Sequence, residues 1–228
     1  MKKAEFINRE NLTSFFLNFL AVVLGIVITF GGESLISARK ERNNLKNCLE
    51  LVSSELQNNK EYLISCDSLL KREVEAALFL IRYEKDYTKA PKDSMGALCN
   101  VPLMLDEMSI YTDAFELLKN SGVLTKIRDK QLALDIFRIY GALQNDVDYI
   151  NMFYDHKLKY LEPAMNSDVK ALLSSDNVTA VGLWSEMART DEGRQFLREI
   201  LRFLSSYNPY DLYEAVDLAI SEISGYTL

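Results

Sequence analysis

The chain has one histidine, His156, in 228 residues. Met152 and Tyr160 lie one helical turn away, and Phe153 and Lys159 three positions away. None is a useful zinc partner for an imidazole, so a helical metal pair is absent. Carboxylates are plentiful, in the pairs Asp106 and Glu107, Asp113 and Glu116, and Asp146 and Asp148. Such pairs can build two-metal or two-carboxylate sites. The Glu-x-x-His ligand motif of di-iron bundles is missing, and solvated helix faces are the preferred reading. No GxSxG, GxxxxGK[ST] or GxGxxG motif occurs. The cysteines are Cys48, Cys66 and Cys99. An odd count without CxxC gives no disulfide framework, and Cys48 and Cys66 read as small apolar fillers. The expectation is a non-enzyme with no catalytic residue, no metal and no cofactor.

The elements that would carry these residues are all helical. Asn11 to Gly32 holds 22 residues without a charge, between Glu10 and Glu33. At about 1.5 Å per residue this spans roughly 33 Å, enough for a bilayer core of about 30 Å. The run is longer than a signal-peptide core and lacks a small-x-small exit, so a spanning anchor is preferred over a cleaved leader or a buried core helix. Ala21, Gly25 and Thr29 fall on one face and would let another membrane helix approach. Gly31 and Gly32 are the expected hinge at the membrane exit.

Residues 1–46 carry net charge +3 and the remainder −10, within a total of −7. An acidic domain is repelled by phosphate backbones, which argues against nucleic acid as a partner. The basic run Arg39, Lys40 and Arg42 is placed to meet lipid headgroups. Lys and Arg counts on the two sides of the anchor nearly match, so the charge rule barely sets orientation.

No proline or glycine occurs from Ser34 to Asp86. Leu45, Leu49, Val52, Leu56, Asn59, Leu63, Cys66 and Leu70 repeat with spacings of four and three, a heptad seam. The apolar pattern then slips to Val74, Ala77 or Leu78, and Ile81, as a stutter would. The seam fits either a coiled coil between chains, with Asn59 fixing register, or an intramolecular bundle. The bundle is preferred, because later helices need a surface to pack on.

The division expected is a tail at 1–10, an anchor at 11–33, a long helix at 34–86, a loop at 87–102 and a bundle at 103–228. Within the bundle a helix is expected from Leu103 to Asn120, stopped by Ser121 and Gly122. Asp129 should cap a helix to about Leu161, before Pro163. Its core face reads Leu132, Ile136, Tyr140, Leu143, Val147, Ile150, Tyr154, Leu158 and Leu161. Shorter helices follow at 167–174 and 178–189, then one capped at Thr190 or Asp191. A last helix starts at Asn208 and Pro209. The fold class is all-α: a transmembrane helix continuing into a long helix, then an antiparallel helical bundle.

The anchor ending LGIVITF, the run LELVSSELQNNKEYL and the segment YTDAFELLKNSGVLTKIRDKQLALDIFRIYGAL together resemble a bacterial family of small single-pass membrane proteins of unknown function. The matching junction positions are Tyr111, Leu118, Ser121, Gly122, Leu124, Ile127, Asp129, Leu132 and Tyr140. The tail here holds Glu5 and Glu10, and the Asn-Trp pair expected after the anchor is missing. The resemblance implies a bacterial inner-membrane location and supplies no catalytic residue. The C-terminal domain is weakly favoured outside the cytoplasm. The expected function is a scaffold or complex subunit acting through protein–protein association, with the lipid bilayer and either a second copy or another membrane protein as partners. The alternative is a tethered sensor binding a small ligand between its helices, lined by Tyr140, Tyr149 and Tyr154.

Overall fold

The computed structural model describes the backbone of residues 9–175 and 178–226, and the side chains of 19–26, 36–175 and 178–226. Its α-helices are α1 (Arg9–Arg82), α2 (Lys92–Leu98), α3 (Asp113–Asn120), α4 (Lys130–Ala164), α5 (Ser167–Leu173), α6 (Ala180–Met187), α7 (Asp191–Leu204) and α8 (Tyr210–Gly225). Among the described residues there is no strand. The all-helical class is as expected.

Helix α1 runs 74 residues, roughly 110 Å. Its backbone stays helical through Gly31 and Gly32, so the bend expected there does not break the helix. Among the described residues no helix is long and apolar enough to cross a membrane. Most side chains of Asn11–Gly32, Thr29 among them, lie outside the described residues.

From Leu45 onward α1 is packed. Every seam residue from Leu45 to Leu70 is buried inside the single chain. The seam is therefore intramolecular. The expected stutter is absent: burial continues at Glu73, Ala77 and Leu80, which keeps the four-three spacing unbroken. Leu78 is exposed instead. The apolar pattern slips only because a glutamate occupies a core position.

Helix α4 runs in the same sense as α1. Tyr140 meets Glu55 near one end, and Lys157 meets Glu73 towards the other. Helices α7 and α8 follow each other back down, packed against both α1 and α4. Tyr149 bonds the Phe203 carbonyl at the α7 level, and Tyr213 bonds the Leu63 carbonyl at the α8 level. The remaining side is closed by residues 101–127, which also descend. The topology is up, down, up, down, and neighbours are antiparallel as a bundle requires.

The second of these four passes is helical only in part. The helix expected from Leu103 begins only at Asp113, and residues 104–112 are extended or irregular. Asn120 does end α3, and Gly122 takes the left-handed conformation at φ 70°. The segment expected as a loop at 87–102 contains α2 and two short 3-10 turns. Helix α4 continues through Pro163 to Ala164 instead of stopping at Leu161. Asp129 caps it as expected, accepting from the Gln131 and Leu132 amides. Its core face is as expected except at Leu158, which is partly exposed while Lys157 points inward.

Helices α2, α5 and α6 close the far end. Trp184 of α6 is buried there and donates its indole N–H to the Cys99 carbonyl at 2.9 Å. Thr190 caps α7 through the Gly193 amide, and Gly193 packs against the Met187 carbonyl so closely that a Cβ would lie 1.9 Å from it.

Candidate functional site

Residues 104–112 form a strap without helical hydrogen bonds, whose amides and carbonyls must be satisfied by other groups. Four polar side chains do this: the buried Glu55 and Asn59 on α1, and the half-buried Asn151 and buried Lys157 on α4.

Asn59, fully buried in the α1 seam, holds Tyr111 with both ends of its amide. Its Nδ2 donates to the Tyr111 carbonyl at 2.7 Å, and its Oδ1 accepts from the Tyr111 N–H at 2.8 Å. Asn151 on α4 repeats the motif on Met108, with 2.8 Å in both directions. Each asparagine imitates one rung of a β-ladder, since a primary amide presents the same donor and acceptor as a peptide group. The strap is thus gripped from both flanking helices, three residues apart.

Glu55 secures the lower end. Its carboxylate accepts from the Ala114 and Phe115 amides at 2.8 and 3.1 Å, and from the Tyr140 hydroxyl at 2.6 Å. Thr112, the N-cap residue of α3, makes no side-chain cap bond. A carboxylate one helix away performs that role, aided by the positive end of the α3 dipole. Burial, with Glu55 beside it, pushes the Tyr140 hydroxyl well above its ordinary range. The ring stacks on Phe115 at 4.2 Å.

Lys157 secures the upper end. It is 1% exposed, donates to Glu73 Oε1 at 2.5 Å, and reaches the Met104 carbonyl and, at 3.4 Å, the Val101 carbonyl. Burial raises the Glu73 carboxyl to about 7, against the pull of Lys157. Burial likewise lowers the Lys157 ammonium, against the pull of Glu73. The second carboxylate oxygen, Oε2, is buried without a hydrogen-bond partner among the described residues. Desolvation therefore opposes charge on both groups, and their mutual contact keeps them paired.

The sequence-derived sites fall in different places. Ala21 and Gly25 lie on an exposed part of α1. Of the junction residues, Ile127 is buried, Leu124 packs against the core, and Ser121 bonds the Leu118 carbonyl. The ring of Tyr111 is exposed while its backbone is held by Asn59. Asn59 is therefore an intramolecular clamp and does not set register between chains. Glu55, Glu73, Asn151 and Lys157 carry no recognisable sequence motif. Two of them are signalled by spacing: Glu73 and Lys157 sit on the heptad positions of α1 and α4.

Tyr140, Tyr149 and Tyr154 do not share one cavity. Tyr140 serves Glu55, Tyr149 bonds Phe203 and stacks on Tyr207, and Tyr154 lies against Phe153. His156 lies between helices, 3.2 Å from a Glu199 oxygen and beside Phe203. Cys48, Cys66 and Cys99 are buried free thiols. Among the described residues no three His, Cys, Asp or Glu side chains converge to hold a metal. Comparison of the chain with protein-family models, curated proteins and solved structures finds no match.

Proposed function

We propose that the chain is a membrane-anchored, non-enzymatic helical scaffold or complex subunit, acting through protein–protein association. The observation that carries this reading is the continuity of α1: the uncharged stretch Asn11–Gly32 and the buried seam belong to one helix. A stretch of that length and composition suits a bilayer core. The bundle beyond it would be held at the membrane surface without a flexible linker. The buried ionisable groups support a structural role, since Glu55 and Lys157 bond main-chain groups of the strap.

With the seam used inside the chain, association falls to the anchor face of Ala21, Gly25 and Thr29, where small residues permit close helix approach. The test is alkaline extraction and crosslinking of the full chain in native membranes. The chain should resist extraction and crosslink to itself or to a second membrane protein. Joint replacement Ala21→Leu and Gly25→Leu should abolish the crosslink. Release by alkali would sink the anchor, and a crosslink indifferent to the double replacement would sink the assigned face.

A further inference from the structure

Two open clefts meet where α1 leaves the bundle, of about 720 and 670 Å³. The first is lined by Arg39, Glu41 and Arg42 of α1 and by Lys126, Arg128 and Tyr226. The second continues past Arg42 and Tyr226 to Lys46 and Glu50. Five bases thus face two acids, in a chain whose net charge is −7.

The bases come from two distant parts of the sequence. Arg39, Arg42 and Lys46 lie on successive turns of α1, whereas Lys126 and Arg128 belong to the junction before α4. That junction is fixed to the end of α8, because the Arg128 N–H donates to the Tyr226 hydroxyl at 2.7 Å. The two acids are already engaged: Glu41 pairs with Lys126 at 3.2 Å, and Glu50 with Lys46 at 3.6 Å. Among the described residues Arg39, Arg42 and Arg128 have no ion-pair partner. Three guanidinium groups around one opening are the donor set that grips a phosphate bidentately.

We propose that these clefts bind a phosphate ester, and that its source is the headgroup of an anionic phospholipid. The position of the site favours that source. Arg39 and Arg42 lie seven and ten residues beyond Gly32, about 10 and 15 Å along the helix. Arg39 stands close to one screening length (about 8 Å at physiological salt) from that point, and the long arginine side chains can extend back towards the headgroups. The lipid source rests on the anchor reading above; the phosphate chemistry does not.

The full chain in nonionic detergent is offered equal amounts of phosphatidylglycerol and phosphatidylcholine, and retained lipid is read by native mass spectrometry. Phosphatidylglycerol should be retained selectively. Arg42→Gln with Arg128→Gln should reduce its retention by about tenfold or more, since each lost charged hydrogen bond is worth about that factor. A control pair on the far half of the domain, Lys159→Gln with Lys170→Gln, should change little. Equal losses in the two pairs, or none in the first, would overturn the site. In parallel, inorganic phosphate at matched ionic strength should raise the melting temperature of the wild type but not of the arginine pair, whose melting in chloride should match the wild type. Phosphate stabilisation without phosphatidylglycerol selectivity would overturn the lipid source. If alkali extracts the chain, the anchor fails, and the phosphate melting experiment still decides the site.

Discussion

Replacing Lys157 by Met keeps most of the apolar stem and deletes the charge. Glu73 is then buried without its counter-charge, and the Met104 carbonyl loses its close donor. Removing one partner of a buried pair costs about 3–5 kcal/mol. For a domain of this size each kcal/mol lowers the melting temperature by about 2–4 °C, so a fall of roughly 6–20 °C is expected at neutral pH. The deficit should depend on pH. The Glu73 carboxyl already sits near 7 in the folded protein against an ordinary 4.5, so folding takes up a proton between those values. Such a group contributes stability that is fully present below its unfolded pKa and is lost as pH rises through the folded one. Without Lys157 to hold it down, the folded value rises further. Lys157→Met should therefore be closest to wild type near pH 5 and furthest from it near pH 8. Adding Glu73→Gln should recover much of the loss, because no buried charge remains and the new amide can donate. Urea unfolding of the full chain in detergent, followed by circular dichroism at pH 5, 7 and 8, measures all three variants. A loss below about 1 kcal/mol, or one constant across that pH range, would refute the buried-pair account.

Asn59→Leu should destabilise by about 2–4 kcal/mol, because the Tyr111 amide and carbonyl both lose their partner. A coiled coil between chains would respond oppositely, gaining stability and changing its oligomeric state; denaturation with sedimentation separates the two. Glu55→Gln should cost about 1–3 kcal/mol, by removing the charged acceptor from the start of α3. Hydrogen exchange at the Ala114 and Phe115 amides should rise specifically. Gly193→Ala should cost about 2–4 kcal/mol, since the added Cβ meets the Met187 carbonyl and the backbone between α6 and α7 must shift, which thermal melting would read.

The parts of this fold that were legible obey periodicity and capping. The seam from Leu45 to Leu70, the cap at Asp129 and the left-handed Gly122 each follow from local rules, and each lies where those rules put it. What was not legible depends on partners far away in sequence. Residues 104–112 carry no proline or glycine, and nothing local says they are extended or irregular. Their conformation is decided by Asn59, Asn151 and Lys157, which lie about 40–50 positions away. A stutter after Leu70 follows only if glutamate is excluded from core positions, and Glu73 occupies one. With Glu73 and Lys157 accepted at heptad positions, both patterns become regular. Two opposite charges, each in register with an apolar seam, are a legible sign of a buried pair.

The two asparagine clamps grip peptide groups, and a peptide group is the same in every residue except proline. Nothing in their grip inspects the side chains at Met104, Leu105 or Tyr111, all of which are well exposed. The outer surface of the strap is therefore open to change in a way that helices, which must keep a periodic face, are not. A peptide of foreign sequence could be written across residues 104–107 and at 111, with Met108 kept for its buried side chain, and be displayed in a fixed extended shape. The same freedom would let natural variants alter that surface without disturbing the bundle beneath it.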